Sequence, residues 1–193
     1  MEKKKIVVAT GNAGKLREIK EILSDYEIVG YKEEGFDFEI EENGTTFYQN
    51  ALIKAKAVSE ALGCPALADD SGLVVEALNG EPGIYSARYA GDGVDEHNNL
   101  LLLKNMQGIQ NRKAKFVCSL VYYSPNGKII SAEGETHGSI LHEQQGTNGF
   151  GYDCVFLSDD LNISLGLADP KEKNKISHRF RALKILKEKL KSI

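Results

Sequence analysis

Thr10-Gly11-Asn12-Ala13-Gly14-Lys15 places two glycines and a lysine where a strand-like run gives way to a helix-like one. The apolar run Ile6-Val7-Val8-Ala9 precedes it, and Leu16, Ile19, Ile22 and Leu23 share one helical face after it. N–H groups at a helix N-terminus have no partner inside the helix, and the helix dipole favours an anion there. Glycine lets a ligand approach the backbone, and Lys15 adds a full positive charge. The chemistry that suits such a turn is phosphate binding. It matches neither widespread phosphate loop: the Walker pattern G-x-x-x-x-G-K-[ST] is broken by the short Asn12-Ala13 spacer and by Leu16, and G-x-G-x-x-G is absent. An ordinary strand-to-helix connector has the same composition, so on this loop alone both readings stand.

Asp69-Asp70-Ser71-Gly72 closes the short apolar run Pro65-Ala66-Leu67-Ala68, at the strand end where α/β folds carry reactive groups. Neighbouring strand residues point to opposite faces, so the two aspartates should diverge, with Asp70, nearer the loop, expected in a cleft. There it could ligate a metal, act as general base toward a water, or simply form a turn. Phe36 to Glu41 alternates strictly and predicts a half-buried strand. Glu42 shares the parity of Phe36, Phe38 and Ile40, so it should emerge toward a cleft, or else be a charged edge residue. Glu42 and Asp70 would together supply the one or two carboxylates that Mg²⁺ takes alongside waters and substrate phosphates. Asn50 and Lys54, at i and i+4, lie one above the other on a helix, facing a cleft or solvent.

Thr147-Asn148-Gly149-Phe150-Gly151-Tyr152-Asp153 sets aromatics among glycines. An exposed Phe150 there suits stacking on a flat base; alternatively it anchors the loop to the core. Lys173, Lys175, His178 and Arg179 gather just before and at the start of the last helix, against the dipole preference for acids, and a bound anion would resolve that conflict. His97, His137 and His142 show no metal-ligand spacing, and Ser71 lacks the G-x-S-x-G elbow of a serine nucleophile.

The elements that must position these residues alternate between α and β. Thr45 or Thr46 should cap a helix running to Leu62 and stopped by Gly63. Leu100 to Met106 reads as helix, Lys113 to Tyr123 and Lys128 to Glu135 as a hairpin around Pro125-Asn126-Gly127, and His178 to Lys191 as a helix with Ala182, Leu183, Leu186 and Leu190 inward. At 193 residues, 41% of them hydrophobic, the chain is expected to form one domain spanning 1–193. Lys+Arg 24 against Asp+Glu 28 leaves it mildly acidic, which disfavours nucleic acid or a membrane as partner. No apolar run reaches transmembrane length and no signal peptide is evident. Cys64, Cys118 and Cys154 are odd in number and widely spaced, as expected of buried free thiols in the cytoplasm.

Together, Ala9 to Lys15, Ala68 to Gly72, Pro82-Gly-Ile-Tyr-Ser-Ala-Arg-Tyr89, Phe150-Gly-Tyr-Asp153 and Lys173 to Arg179 resemble the inosine triphosphate pyrophosphatase (Ham1-like) family nearly end to end. The resemblance implies an elongated mixed β-sheet with flanking helices, two lobes around a central substrate cleft, and a homodimer. It implies Mg²⁺-dependent hydrolysis of ITP, dITP and XTP to monophosphate and pyrophosphate. Thr10, Gly11, Asn12, Ala13, Gly14 and Lys15 would bind the triphosphate, with Lys54 and Lys173 as further phosphate contacts. Glu42 and Asp70 would hold magnesium, Asp70 would serve as base, and Ser71 would touch the substrate. Phe150, Gly151, Tyr152, Asp153, His178 and Arg179 would bind the base, with the Asp153 carboxylate accepting from hypoxanthine N1–H and Arg179 donating to O6. A nucleotide sensor without turnover and a γ-phosphate-releasing phosphatase are the competing readings.

Overall fold

The computed structural model describes residues 3–35, 37 and 39–192. Six strands, β1 Lys5–Val8, β2 Glu27–Gly30, β3 Ala66–Val75, β4 Lys113–Tyr123, β5 Ile129–Ile140 and β6 Phe156–Ser158, form a mixed sheet in the order β2-β1-β3-β4-β5-β6. β1 pairs in parallel with both β2 and β3, and β5 pairs antiparallel with β6. The flanking helices are α1 Ala13–Ile22, α2 Phe47–Leu62, α3 Asp95–Asn105, α4 Pro170–Ile176 and α5 His178–Leu190. The chain divides into two compact units: Met1–Asp70 with Cys118–Gly134 and Arg181–Ile193, and Ser71–Val117 with Glu135–Phe180.

In the first unit β1 is apolar and buried from Ile6 to Val8 because both its faces are covered there, as expected of a parallel strand inside an α/β layer. Ile6 and Val8 pack with Ile19 of α1, Leu67, and Ala182, Leu183, Leu186 and Leu190 of α5. Val7 and Ala9 turn the other way, toward Ala51, Ala55 and Val58 of α2 together with Ala66 and Ala68. The local punctuation follows from the sequence. Thr46 caps α2 by accepting from the Gln49 N–H, and Gly63 ends it with φ at 63°. Asn12 caps α1 through the Lys15 N–H.

The second unit packs Leu102 and Met106 against Leu73, Val75, Phe116, Ile140, Val155 and Phe156. Fully burying side chains of this size is worth ~1.5–3 kcal/mol each. That burial holds the loop-rich segment after β5 in place.

Four expectations change, and β5 runs to Ile140 rather than ending at Glu135. Of the strand expected over Phe36 to Glu41, Phe36 and Phe38 lie outside the described residues, and Asp37, Glu39, Ile40 and Glu41 carry no strand. β3 does not stop at Asp69 but runs through Asp69-Asp70-Ser71-Gly72 to Val75, which removes the turn reading of that motif. α3 begins at Asp95, not Leu100. Its first turns carry buried asparagines rather than apolar periodicity: Asn98 Oδ1 accepts from the Ala90 N–H at 2.7 Å, and Asn99 Nδ2 donates to the Gly151 carbonyl at 3.0 Å. Finally, Lys173 and Lys175 belong to α4, in its last turn, where cations suit the dipole. The conflict expected of a cationic helix start is therefore confined to His178 and Arg179.

Candidate active site

The parity of β3 decides where the acids go. Leu67 and Asp69 face α1, while Ala66, Ala68 and Asp70 face α2. Asp69 accordingly accepts the Lys15 ammonium at 2.9 Å, its side chain 3% exposed against 26% for the lysine. Asp70 Oδ2 accepts from Asn50 Nδ2 of α2 at 3.0 Å. One turn along α2, Lys54 pairs with Glu42 at 3.0 Å. The aspartates do diverge as expected, but it is Asp69 that meets the glycine loop. Thr10, Gly11, Lys15, Glu42, Lys54 and Asp69 line one cavity of about 270 Å³. It opens beside the loop that leaves β1 and leads into α1. Thr10 shapes that loop by accepting from the Asn12 N–H at 3.2 Å, and Ala13 and Gly14 form the first residues of α1.

In the second unit Phe150 is 68% exposed, the most exposed of the large hydrophobic side chains described. Asp153, 4% exposed, lies beneath it. Its Oδ2 accepts from the Phe150 N–H at 2.8 Å and also pairs with the Lys173 ammonium. Lys173 in turn sits 4.6 Å from the centre of the Phe150 ring, a cation–π distance. Gly149 has φ at 76°, and a β-carbon there would overlap Asp153 Oδ2, so only glycine lets the loop close over the carboxylate.

The rest of that loop is clamped by α3. Asp95 Oδ2 accepts from the Gly151 N–H at 2.7 Å, and Asn99 takes the Gly151 carbonyl. Tyr152 is buried and donates to the Ser86 carbonyl at 2.6 Å; burial pushes its phenol well above the ordinary value. His178 stacks on Phe116 with ring centres 5.2 Å apart, and Arg179 is buried. Ser71 lies on β3 and is partly exposed. Asp95 and Asn99 went unremarked in the sequence, although their i,i+4 spacing on one helix face was a usable signal.

A larger hollow of about 620 Å³ lies elsewhere in the second unit, beside Lys113, Lys115, His137 and Ser139. Two of its polar side chains are already partnered: Glu135 holds both Lys115, at 2.6 Å, and His137, at 2.9 Å. Among the described residues no cluster of three or more His, Cys, Asp or Glu forms a ready-made metal cage. His97, His137 and His142 are exposed. Among the described residues the three cysteines form no disulfide; Cys118 is buried and the other two are half-buried.

The Ham1 family pattern matches residues 6–189. The chain belongs to the Ham1 family. Within it, this Ham1-family chain is 46% identical over 186 residues to a protein of Staphylococcus epidermidis named dITP/XTP pyrophosphatase, covering 96% of this chain and 95% of that one. A Haemophilus influenzae protein of the same name is 48% identical over 195 residues, covering 97% and 100%. Among solved structures, the Staphylococcus aureus Ham1 protein matches with a TM-score of 0.93 at 42% identity, over 98% of this chain and 99% of that one. A HAM1 protein from Coxiella burnetii matches with a TM-score of 0.92 at 38% identity, over 98% and 100%.

Proposed function

We propose that this Ham1-family chain hydrolyses deaminated purine nucleoside triphosphates (dITP, XTP and ITP) to the monophosphate and pyrophosphate, clearing them from the nucleotide pool. The observation that carries the reading is the cavity in the first unit, where the glycine loop, Lys15, Lys54 and carboxylates meet. Relatives that match along nearly the whole chain bear the name dITP/XTP pyrophosphatase.

In this reading Thr10 to Lys15 and Lys54 hold the triphosphate. A charge pair at ~4 Å is worth ~4 kcal/mol at an effective dielectric near ~20, enough for a few local cations to capture a polyanion on an acidic protein. Lys15 and Lys54 are already partnered, by Asp69 and Glu42, so each is held at the cavity wall before substrate arrives. Asp70 takes the proton as water attacks the α-phosphorus. The bond from that phosphorus to the bridging oxygen breaks, and pyrophosphate leaves. Ser71, next on the strand, contacts the substrate.

Glu42 and Asp70 would hold Mg²⁺. Two hard oxygen donors, with no cluster of three or more His, Cys, Asp or Glu among the described residues, fit a cation that completes its shell with waters and phosphate oxygens. When bound, it supplies neutralisation of phosphate charge.

Phe150 stacks on the purine. Asp153 is better read as the residue that builds the stacking platform than as a reader of N1–H, since its buried Oδ2 already takes the Phe150 N–H and the Lys173 ammonium. Lys173 then serves the base end, and His178 and Arg179 donate toward O6, which hypoxanthine and xanthine carry and adenine lacks. Gly151 and Tyr152 contribute backbone at the loop.

The exposed Tyr85 in the 3-10 helix Gly83–Arg88 supports a homodimer, since C2 dimers are the commonest assembly. Tyr89, which caps that 3-10 helix, is spent inside the unit, packing against its core and bonding Asn105 and Glu81. Free thiols suit the cytoplasm. Incubating the protein with ITP and Mg²⁺ and resolving the products by ³¹P NMR tests the reading. IMP with pyrophosphate is expected; orthophosphate as first product would make it a γ-phosphatase, and no turnover a sensor.

A further inference from the structure

Asn50 occupies the first turn of α2 and is 4% exposed. Both ends of its amide are used. Oδ1 accepts from the Gly44 N–H at 2.9 Å, and Nδ2 donates to Asp70 Oδ2 at 3.0 Å. A backbone N–H only donates and an ionised carboxylate only accepts, so a single orientation of the amide serves both partners.

The chain from Gly44 to Thr46 is laid flush on this turn. Thr45 donates its N–H to Gln49 Oε1 at 2.7 Å and its hydroxyl at 2.9 Å, and Thr46 caps the helix. A β-carbon on Gly44 would come within 2.7 Å of Asn50 Oδ1 and of Gln49 Cβ. Glu42 stands two residues before that docked segment and is gripped by Lys54, one turn beyond Asn50 on the same helix face.

From this geometry we infer that Asn50 is a positioning residue, fixing the Asp70 carboxylate and the Glu42-bearing loop against one helix turn so that the two acids keep a set separation. The inference rests on the proposed roles of Asp70 and Glu42. A neutral amide suits the task. A lysine at this position would compete with a bound cation for Asp70, and an acid would repel it. The helix face thus carries a division of labour: Asn50 orients Asp70, and Lys54 orients Glu42.

The test uses the full chain and two variants, Asn50→Ala, which removes the bridge, and Gly44→Ala, which pushes the loop off it without touching the core. Mn²⁺ binding followed by electron paramagnetic resonance, with no nucleotide present, reads the pair of acids directly. Loss of an orienting partner typically costs ~10–100-fold in metal affinity or activity. Both variants should therefore bind Mn²⁺ about tenfold or more weakly and lose kcat on ITP in that same ~10–100-fold range, with KM little moved. A folded Asn50→Ala protein with unchanged Mn²⁺ affinity and kcat would overturn the inference. If Asn50→Ala fails to fold, Gly44→Ala decides by the same readouts. Should the wild type release orthophosphate instead of pyrophosphate, the functional reading fails, while Mn²⁺ binding still decides whether Asn50 sets the acids.

Discussion

In the first unit a lysine on helix α1 reaches across to an aspartate on a strand buried on both faces; in the second, a lysine on the short helix α4 reaches an aspartate beneath a glycine loop. Both pairs bury the acid and leave the lysine more accessible, yet they do different work. Lys15 and Lys54 each lean on one carboxylate at a cavity wall; in the proposed function they hold the triphosphate. Lys173 is locked into a three-part unit with Asp153 and the Phe150 ring, which fixes a flat surface. The first arrangement supplies charge and the second supplies shape.

Five substitutions can break or sharpen that contrast. Asp70→Asn keeps shape but cannot take a proton, so kcat on ITP should fall at least ~10²-fold, the usual scale for a general base. Asp69→Asn should cost kcat less, because Asp69 acts through Lys15; if it proves the more damaging of the two, their roles are exchanged.

Phe150→Ala removes the platform. Stacking on an aromatic ring is worth ~1–3 kcal/mol per base, so KM should rise roughly 5–100-fold with kcat far less affected. An unmoved KM would mean that the exposed ring does not meet the base.

Lys15→Met should raise KM and also lower the melting temperature, because Asp69 is left buried without its cation. Breaking a buried pair costs ~3–5 kcal/mol, and partial exposure of Lys15 puts this site at or below the lower end. Steady-state kinetics with a thermal melt on one sample separates the two effects. A loss of stability without any change in KM would reduce the pair to scaffolding.

Tyr152→Phe should be the mildest change. It leaves the Ser86 carbonyl short of a donor at a cost of about 1 kcal/mol, visible in the melt, with KM for ITP unchanged. A rise in KM would show the Tyr152 hydroxyl to be more than an anchor.

Much of this molecule was legible in its residues, for reasons that differ by region. Thr46 and Gly63 bounded α2 correctly because cap chemistry is local. The inward face of α5 followed from periodicity, with Ala182, Leu183, Leu186 and Leu190 all buried. The Ham1 resemblance was carried by short blocks in order, and the family is the right one.

What escaped the sequence was long-range. Asp69 reads as the idle neighbour of Asp70 until Lys15, 54 residues away, is seen to hold it. Asp-Asp-Ser-Gly looks like a turn because its composition is that of turns, yet partners on both faces let it continue as strand. The start of α3 was hidden because Asn98 and Asn99 spend their amides on distant backbone, leaving no apolar stripe to count. The partners of Asp153 Oδ2, the Phe150 N–H and the Lys173 ammonium, were likewise invisible in the sequence.

The position of bond cleavage tests the central claim most directly. Turnover of ITP with Mg²⁺ in ¹⁸O-labelled water, followed by mass spectrometry of both products, reports which phosphorus the water attacked. Attack on the α-phosphorus with Asp70 as base predicts the label in IMP and none in pyrophosphate. Label in pyrophosphate, with IMP unlabelled, would mean attack at the β-phosphorus and would contradict the account.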